Sequence, residues 1–442
     1  MKIKLSDHFT YKKLLRFVFP SVIMMVFTSI YGVVDGLFIS NFVGKTPFAS
    51  INLIMPFIMI LGGIGFMVGT GGSAIVAKTL GEGDRGRANR YFTMMIYLTI
   101  ALGIIFSTLG IVFIRPIARF LGATDAMLEG CVSYGRTMLI FNTAFMLQSV
   151  FHSFCVTAEK PKLGLIATVS AGVTNMALDA LFVVGFGWGT TGAAVATGLS
   201  ECVGAFIPMI YFLRKNSSLL RLRKTNIEIK PLVKACTNGS SELMSSISGS
   251  IIGMLYNAQL LKFAGENGVA AYGVLMYVQF VFIAVFIGYS VGSAPVIGYH
   301  YGAENRSEMK NMLKKSYVLM FTAGVVMMLL AQVLASTLAK IFVGYDAELF
   351  ELTKRAFRIF SFAFVLSGLN IFSSSFFTAL GNGAVSAAIS FLRTLVFQML
   401  CVLLLPVIFG IDGIWFAISV AEICAFTLSV MFLQINRKKY GY

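Results

Sequence analysis

The chain has 442 residues, of which 57% are hydrophobic and 12% charged, with a formal net charge of +16; its mean hydropathy is +0.83. A soluble domain carries about a quarter charged residues, so this chain has too few to cover a water-facing surface, and hydrocarbon must be the solvent for much of it. On such a chain the excess of Lys and Arg marks membrane topology rather than nucleic acid, because basic residues collect in cytoplasmic loops.

A spanning helix needs about 20 mostly apolar residues. Such runs occupy roughly 14–39, 48–76, 91–114, 132–157, 163–186 and 190–213, then 236–261, 270–297, 317–339, 357–379, 384–409 and 413–433. The first follows a basic segment, as in a signal peptide, but it is too long and no small-residue cleavage site follows, so it reads as a retained helix. The longest polar stretch, "RKNSSLLRLRKTNIEIKPLVK" at 214–234, separates two groups of six. The expectation is an all-α integral membrane protein of twelve transmembrane helices. Residues 1–213 form one six-helix bundle, 214–234 a cytoplasmic linker, and 235–442 a second six-helix bundle.

Placing the N-terminus inside puts Lys2, Lys4, Lys12, Lys13 and Arg16 on the inner side. Lys78, Arg85, Arg87, Arg90, the basic linker, Arg306, Lys310 and Arg437 to Lys439 join them. The outer segments hold far fewer, among them Lys45, Arg115, Arg119 and Lys262. This asymmetry predicts that both termini are cytoplasmic.

The sequence also repeats itself at an offset of 221 residues. Gly44 falls on Gly265, Gly71 on Gly292, "GEGDRGRANR" from Gly81 on "GAENRSEMKN" from Gly302, Asp125 on Asp346, Gly192 on Gly413, and Glu201 on Glu422. Six spans per repeat start both halves on the same side, so the repeats are parallel, about an axis along the membrane normal. Two similar bundles facing each other across a cleft suit alternating access.

Charges deep in a membrane are costly and usually face a cavity or a partner. Asp35 lies near the end of the first run. Asn175 and Asp179 lie one turn apart on the fifth, and Thr197 and Glu201 one turn apart on the sixth. An i, i+4 spacing puts each pair on one helix face. At a rise of ~1.5 Å per residue, Asp35 lies roughly 30 Å along its helix and Asp179 roughly 24 Å, both in the outer half. Two carboxylates, an amide and a hydroxyl make an oxygen-rich site suited to Na⁺ or to a shared proton. Alternatively, Asp35 caps the outer end of its helix. The equivalent positions in the second half are Tyr256, Val396, Leu400 and Ile418, so the cluster occurs once. That favours a dedicated ion site in the first bundle over a folding requirement shared by both.

Arg393 and Glu422 both fall near the membrane midplane, either as a structural ion pair or with Glu422 as a substrate-facing acid. Glu201 can serve either a structural or a substrate-facing role. Glu242, near the inner start of the seventh run, reads as a helix-dipole cap. Gly32 and Gly36, Gly249 and Gly253, and "GGIGFMVGTGG" from Gly62 are patterns that let helices pack closely and bend. The six cysteines, without any C-x-x-C, read as small packing residues. The histidines, His8, His152 and His300, lie far apart and lack zinc spacing, and His152 has no evident partner for an intramembrane active site, so no enzyme is expected.

With these residues in view, the chain resembles the multidrug and toxic compound extrusion (MATE) family, in its bacterial branch. The resemblance covers nearly the whole chain. It rests on "VVDGLFIS" around Asp35, the loops "GEGDRGRANR" and "GAENRSEMKN", "NMALDALFVVGFGWGTTGAAVAT", "GENGVAAYGVLMYVQF" and "GYSVGSAPVIGYHYGA". It implies an antiporter that exports cationic or aromatic drugs against inward Na⁺ or H⁺, by alternating access. The family's cation site carries over to Asp35, Asn175, Asp179 and Thr197, with Tyr31 one turn before Asp35. Glu242 does not match the acid that some members carry deep in the seventh helix. The expected partners are drug-like molecules and the bilayer of a bacterial cytoplasmic membrane, with no cofactor beyond the coupling ion, no nucleic acid, and a monomeric state. A lipid or lipid-linked sugar flippase of related fold is the alternative. Such a flippase calls for several basic residues in its cavity, and here only Arg136 and Arg393 lie within the helices away from the ends of the runs.

Overall fold

The computed structural model describes residues 3–43 and 45–442, without the side chains of Leu37, Ser40, Asn41, Lys45, Thr46 and Phe48. Lys2, the Lys45 side chain and the Gly44 half of the Gly44/Gly265 correspondence therefore lie outside the described residues.

Every regular element among the described residues is helical. The helices are α1 (Tyr11–Phe42), α2 (Lys45–Gly81), α3 (Arg85–Phe120), α4 (Asp125–Thr157), α5 (Pro161–Asp179), α6 (Gly189–Leu213) and α7 (Ile229–Gly302). They continue as α8 (Arg306–Val343), α9 (Ala347–Phe360), α10 (Phe364–Ala379), α11 (Gly383–Phe391), α12 (Gln398–Phe409) and α13 (Ile411–Tyr440). π-Helical turns follow α5 at Ala180–Gly185 and α11 at Leu392–Phe397.

Eleven continuous helical segments among the described residues are long and apolar enough to cross a membrane, where twelve apolar runs are read from the sequence. The difference lies in α7. Its 74 residues would extend roughly 110 Å as one helix, far beyond a ~30 Å hydrocarbon core. Gly265 interrupts it with φ 59° and ψ −150°, a conformation open essentially to glycine alone, so α7 is two spans joined without a loop. α9 and α10 form one span, interrupted by a short 3₁₀ turn at Ser361–Ala363. α7 begins at Ile229, inside the stretch read as linker.

The duplication is visible in the turn chemistry. Asp84 and Asn305, 221 residues apart, each accept a hydrogen bond from the amide three residues on, at 2.8 Å from Arg87 and 3.1 Å from Glu308. Both are side-chain N-caps. Gly189 and Gly410, also 221 apart, share φ 58° at the start of the last helix of their halves.

The chain termini share one face, here called the terminal face. Leu5 N–H donates to Glu159 Oε1 at 2.8 Å, Phe9 N–H to Glu308 Oε1 at 2.9 Å, and Arg85 Nη2 to the Ser218 carbonyl at 2.6 Å. At this face the halves interlock. Leu14, Phe17 and Val18 of α1 pack into the core of the second half, and Ala235 of α7 packs into that of the first. A Cβ on Gly81 would collide with the Tyr299 carbonyl oxygen, and one on Gly302 with that of Lys78. Since 81 and 302, and 78 and 299, are repeat equivalents, this reciprocal contact puts a pseudo-twofold axis between α2 and the second limb of α7.

Toward the opposite face α1 keeps contact with α7, where Ser29 Oγ donates to the Phe280 carbonyl at 3.3 Å, but the space beside the helix glycines is open. A Cβ on Gly32, Gly249 or Gly253 would meet nothing within 4 Å, and one on Gly36 would meet only the Tyr277 hydroxyl at 4.0 Å. The expectation that these two G-x-x-x-G pairs pack helices closely together is therefore incorrect: open space lies beside them. The α2 glycines do pack as expected, with Gly65 against Met146 and Gly69 against Val150.

Candidate functional site

The first half gathers its deep polar residues where α1, α5 and α6 meet. Asn175 and Asp179 occupy the last turn of α5 before its π-helical turn, and π insertions often mark functional positions. Asn175 is 1% exposed and its Nδ2 donates to Thr197 Oγ1 of α6 at 3.3 Å. Asp179 is fully buried, while Asp35 of α1 is half-buried. The two carboxyls are immediate neighbours. One turn further along α6, Glu201 is 5% exposed and lies within electrostatic range of Asp35 and Tyr31.

Five oxygens in this group are buried without a hydrogen-bond partner: Asp35 Oδ1, Asn175 Oδ1, both Asp179 carboxyl oxygens and Glu201 Oε2. Leaving a polar group unsatisfied in a low-dielectric interior costs about 1–3 kcal/mol, more if charged. Such a concentration of acceptors calls for a cation or for protons. The structure thus brings together Asp35, Asn175, Asp179, Thr197, Tyr31 and Glu201. Two neighbours are additions. Gln148 of α4 is buried and pairs with the Tyr31 hydroxyl. Tyr134 of α4 is 1% exposed and within range of Asp35, Asp179 and Glu201. An amide in the middle of the apolar run "FMLQSVF" was the available signal for Gln148; Tyr134 gives none.

The second half is built differently. Arg393, in the π-helical turn after α11, binds Glu422 of α13 with Nη2 2.7 Å from Oε1 and Nε 3.0 Å from each carboxylate oxygen. Asn370 Nδ2 adds a bond to Glu422 Oε2 at 2.7 Å, and Ser429 Oγ donates to Asn370 Oδ1 at 3.1 Å. Glu422 is therefore fully partnered. At the position equivalent to Asp35, Tyr256 stacks on Tyr272, ring centroids 5.0 Å apart and ring planes nearly parallel.

Glu242 is not a helix cap. α7 begins at Ile229, because the polar start of the helix extends beyond the apolar run, and Glu242 lies well within it. It lines a small cavity of about 50 Å³ between the halves with Thr70, Ser73, Ser153, Ser290 and Thr378. His152 Nε2 lies 3.2 Å from Thr168 Oγ1. Among the described residues no group of three or more His, Cys, Asp and Glu is arranged to hold a metal ion.

Known proteins resemble this chain along almost its whole length. The multidrug export protein MepA of Staphylococcus saprophyticus is 26% identical, over 94% of this chain and 92% of its own. MepA of a Staphylococcus aureus strain is 25% identical with the same coverage. Among solved structures, a MATE protein in the straight conformation superposes with TM-score 0.92 at 21% identity, covering 98% of each chain. A MOP superfamily transporter from Pyrococcus furiosus gives 0.91 at 21%, again covering 98% of each. The family model described as MatE matches residues 20–181 and 243–403, nearly the same stretch of each repeat. The all-helical, membrane-spanning chain with its internal duplication belongs to the MatE family.

Proposed function

We propose that this protein is a cation-coupled exporter of cationic or aromatic drug-like compounds, acting as a monomer in a bacterial cytoplasmic membrane with both termini inside. One observation carries the reading: five unpartnered buried oxygens gather around Asp35 and Asp179 in the first half. The staphylococcal relatives, named as multidrug export proteins, support the substrate class. The bundles are residues 1–213 and 235–442, joined by a cytoplasmic linker at 214–234.

In this reading Asp35 and Asp179 bind the coupling ion, Na⁺ or H⁺, with Asn175 and Thr197 completing its shell and Tyr31 beside it. Two adjacent carboxylates repel, and a cation between them relieves that repulsion. α1 bends or shifts at Gly32 and Gly36, where the only atom a Cβ would meet within 4 Å is the Tyr277 hydroxyl beside Gly36. The movement reshapes the cleft wall and weakens the hold on a drug. Ion and drug then favour different states of one two-state transporter. With the termini inside, the open space beside Gly32 and Gly249 belongs, in this reading, to a cleft that opens outward, and the interlock at Gly81 and Gly302 closes the inner side.

The flippase alternative needs free cations in the cavity for phosphate. Arg393 is committed to Glu422, and Arg136 is exposed, which favours drug export. Drug uptake by inside-out vesicles under an imposed Na⁺ or pH gradient tests the proposal. Accumulation that follows one gradient supports it, and accumulation indifferent to both overturns it.

A further inference from the structure

The two halves place an acid at the same repeat position, Glu201 and Glu422, and treat it in opposite ways. Glu422 is 1% exposed and receives three hydrogen-bond contacts from Arg393 and one from Asn370. Glu201 is 5% exposed, has no ion-pair partner among the described residues, and leaves Oε2 unpartnered. The residue equivalent to Arg393 is Gly172. A Cβ there would run into the rings of Phe27 and Tyr31, so in the first half α1 aromatics fill the place where the second half puts its guanidinium. At the positions equivalent to Phe27 and Tyr31, α7 carries the smaller Ser248 and Ile252. Size is exchanged between the two elements, and the cation goes with it.

We propose that Glu201 is a second cation-binding acid of the first half, taking from solution the monovalent cation that Arg393 supplies permanently to Glu422. A buried carboxylate without a cation is strongly unfavourable, and the fold meets this in one half with a tethered cation and in the other with an exchangeable one. Tyr31 lies within electrostatic range of both Glu201 and Asp35, so the inner acid and the outer pair share one polar neighbourhood. The transporter then exchanges two cations for each drug, one at Asp35 and Asp179 and one at Glu201. This stoichiometry rests on the exporter reading; the cation at Glu201 does not.

Dicyclohexylcarbodiimide, a membrane-soluble reagent for protonated carboxyls, tests the binding directly on the purified wild-type protein, with mass spectrometry locating the modified residues. Glu201 is expected to be modified at least tenfold more than Glu422. Protection by Na⁺ but not by choline at fixed pH identifies sodium as the cation; protection only by raising pH identifies the proton. Modification of Glu201 no greater than that of Glu422, or indifferent to both Na⁺ and pH, overturns the proposal. In proteoliposomes, exchange of the monovalent cation ethidium should depend on membrane potential in wild type, and Glu201→Gln should remove that dependence while Glu201→Asp keeps it. Unchanged potential dependence in correctly inserted Glu201→Gln contradicts two-cation exchange. Wild type that moves no ethidium under any gradient contradicts the exporter reading and leaves the labelling result standing.

Discussion

Arg393 grips both carboxylate oxygens of Glu422, from α11's π-helical turn to the middle of α13, with Nη2 2.7 Å from Oε1. The arginine side chain is 12% exposed and the glutamate 1%. Removing one partner strands the other in a low-dielectric interior, at about 3–5 kcal/mol. Arg393→Met and Glu422→Gln should each lower the thermal unfolding midpoint in detergent. The double variant should lose clearly less than the two single losses added together, a coupling that a double-mutant cycle reads directly. Strictly additive losses would mean that the pair carries no interaction energy.

The glycines should divide into two classes. At Gly302 an added methyl meets the Lys78 backbone, which cannot yield without moving α2, so Gly302→Ala should destabilise by at least ~1 kcal/mol, the scale of overpacking. At Gly249 an added methyl meets nothing within 4 Å, and Gly→Ala in a helix interior gains about 0.5–1 kcal/mol. Gly249→Ala should therefore unfold at the same temperature as wild type or above it. Equal destabilisation by both substitutions would remove the cleft assigned to this face.

Membrane sidedness is open to labelling. Lys160 Nζ lies 3.1 Å from Ser217 Oγ, which ties the linker to the α4–α5 turn on the terminal face. A cysteine replacing Ser217 should react with an impermeant maleimide in inside-out vesicles and stay unreactive in intact cells. Labelling from outside only would invert the topology and the proposed direction of export.

Much of this architecture was readable from the chain. Spans are set by apolar length, and the polar caps Asp84 and Asn305 sit in loops that match at the 221-residue offset, so both leave local signals. The one-sided cluster was readable for a related reason: Asp179 and Asn175 are costly in hydrocarbon, and Leu400 and Val396 at the equivalent positions are not. Features that depend on what lies opposite a residue were not readable. Gly32 and Gly36 have the spacing of a packing motif, but spacing does not say whether a helix or a cleft faces it. Glu242 looked terminal because apolar runs mark hydrocarbon and not helix ends. The break at Gly265 joins two spans without any polar loop, since one backbone conformation turns the chain. Gln148 was hidden among apolar residues, and its relevance emerges only once Tyr31 is placed beside it.

The central claim is that Asp35 and Asp179 hold the coupling ion, and gradient-driven export by Asp179→Asn tests it most directly. The substitution keeps size and shape at a fully buried position and removes only the charge. Asp84→Asn is the matched control, because asparagine caps a helix as well as aspartate does and Asp84 only caps α3 and faces Arg87 on the terminal face. With both proteins inserted at wild-type levels, drug uptake into inside-out vesicles under an imposed Na⁺ or pH gradient should fall to background for Asp179→Asn and stay near wild type for Asp84→Asn. Full gradient-driven uptake by Asp179→Asn would contradict the assignment of the ion site to the first half.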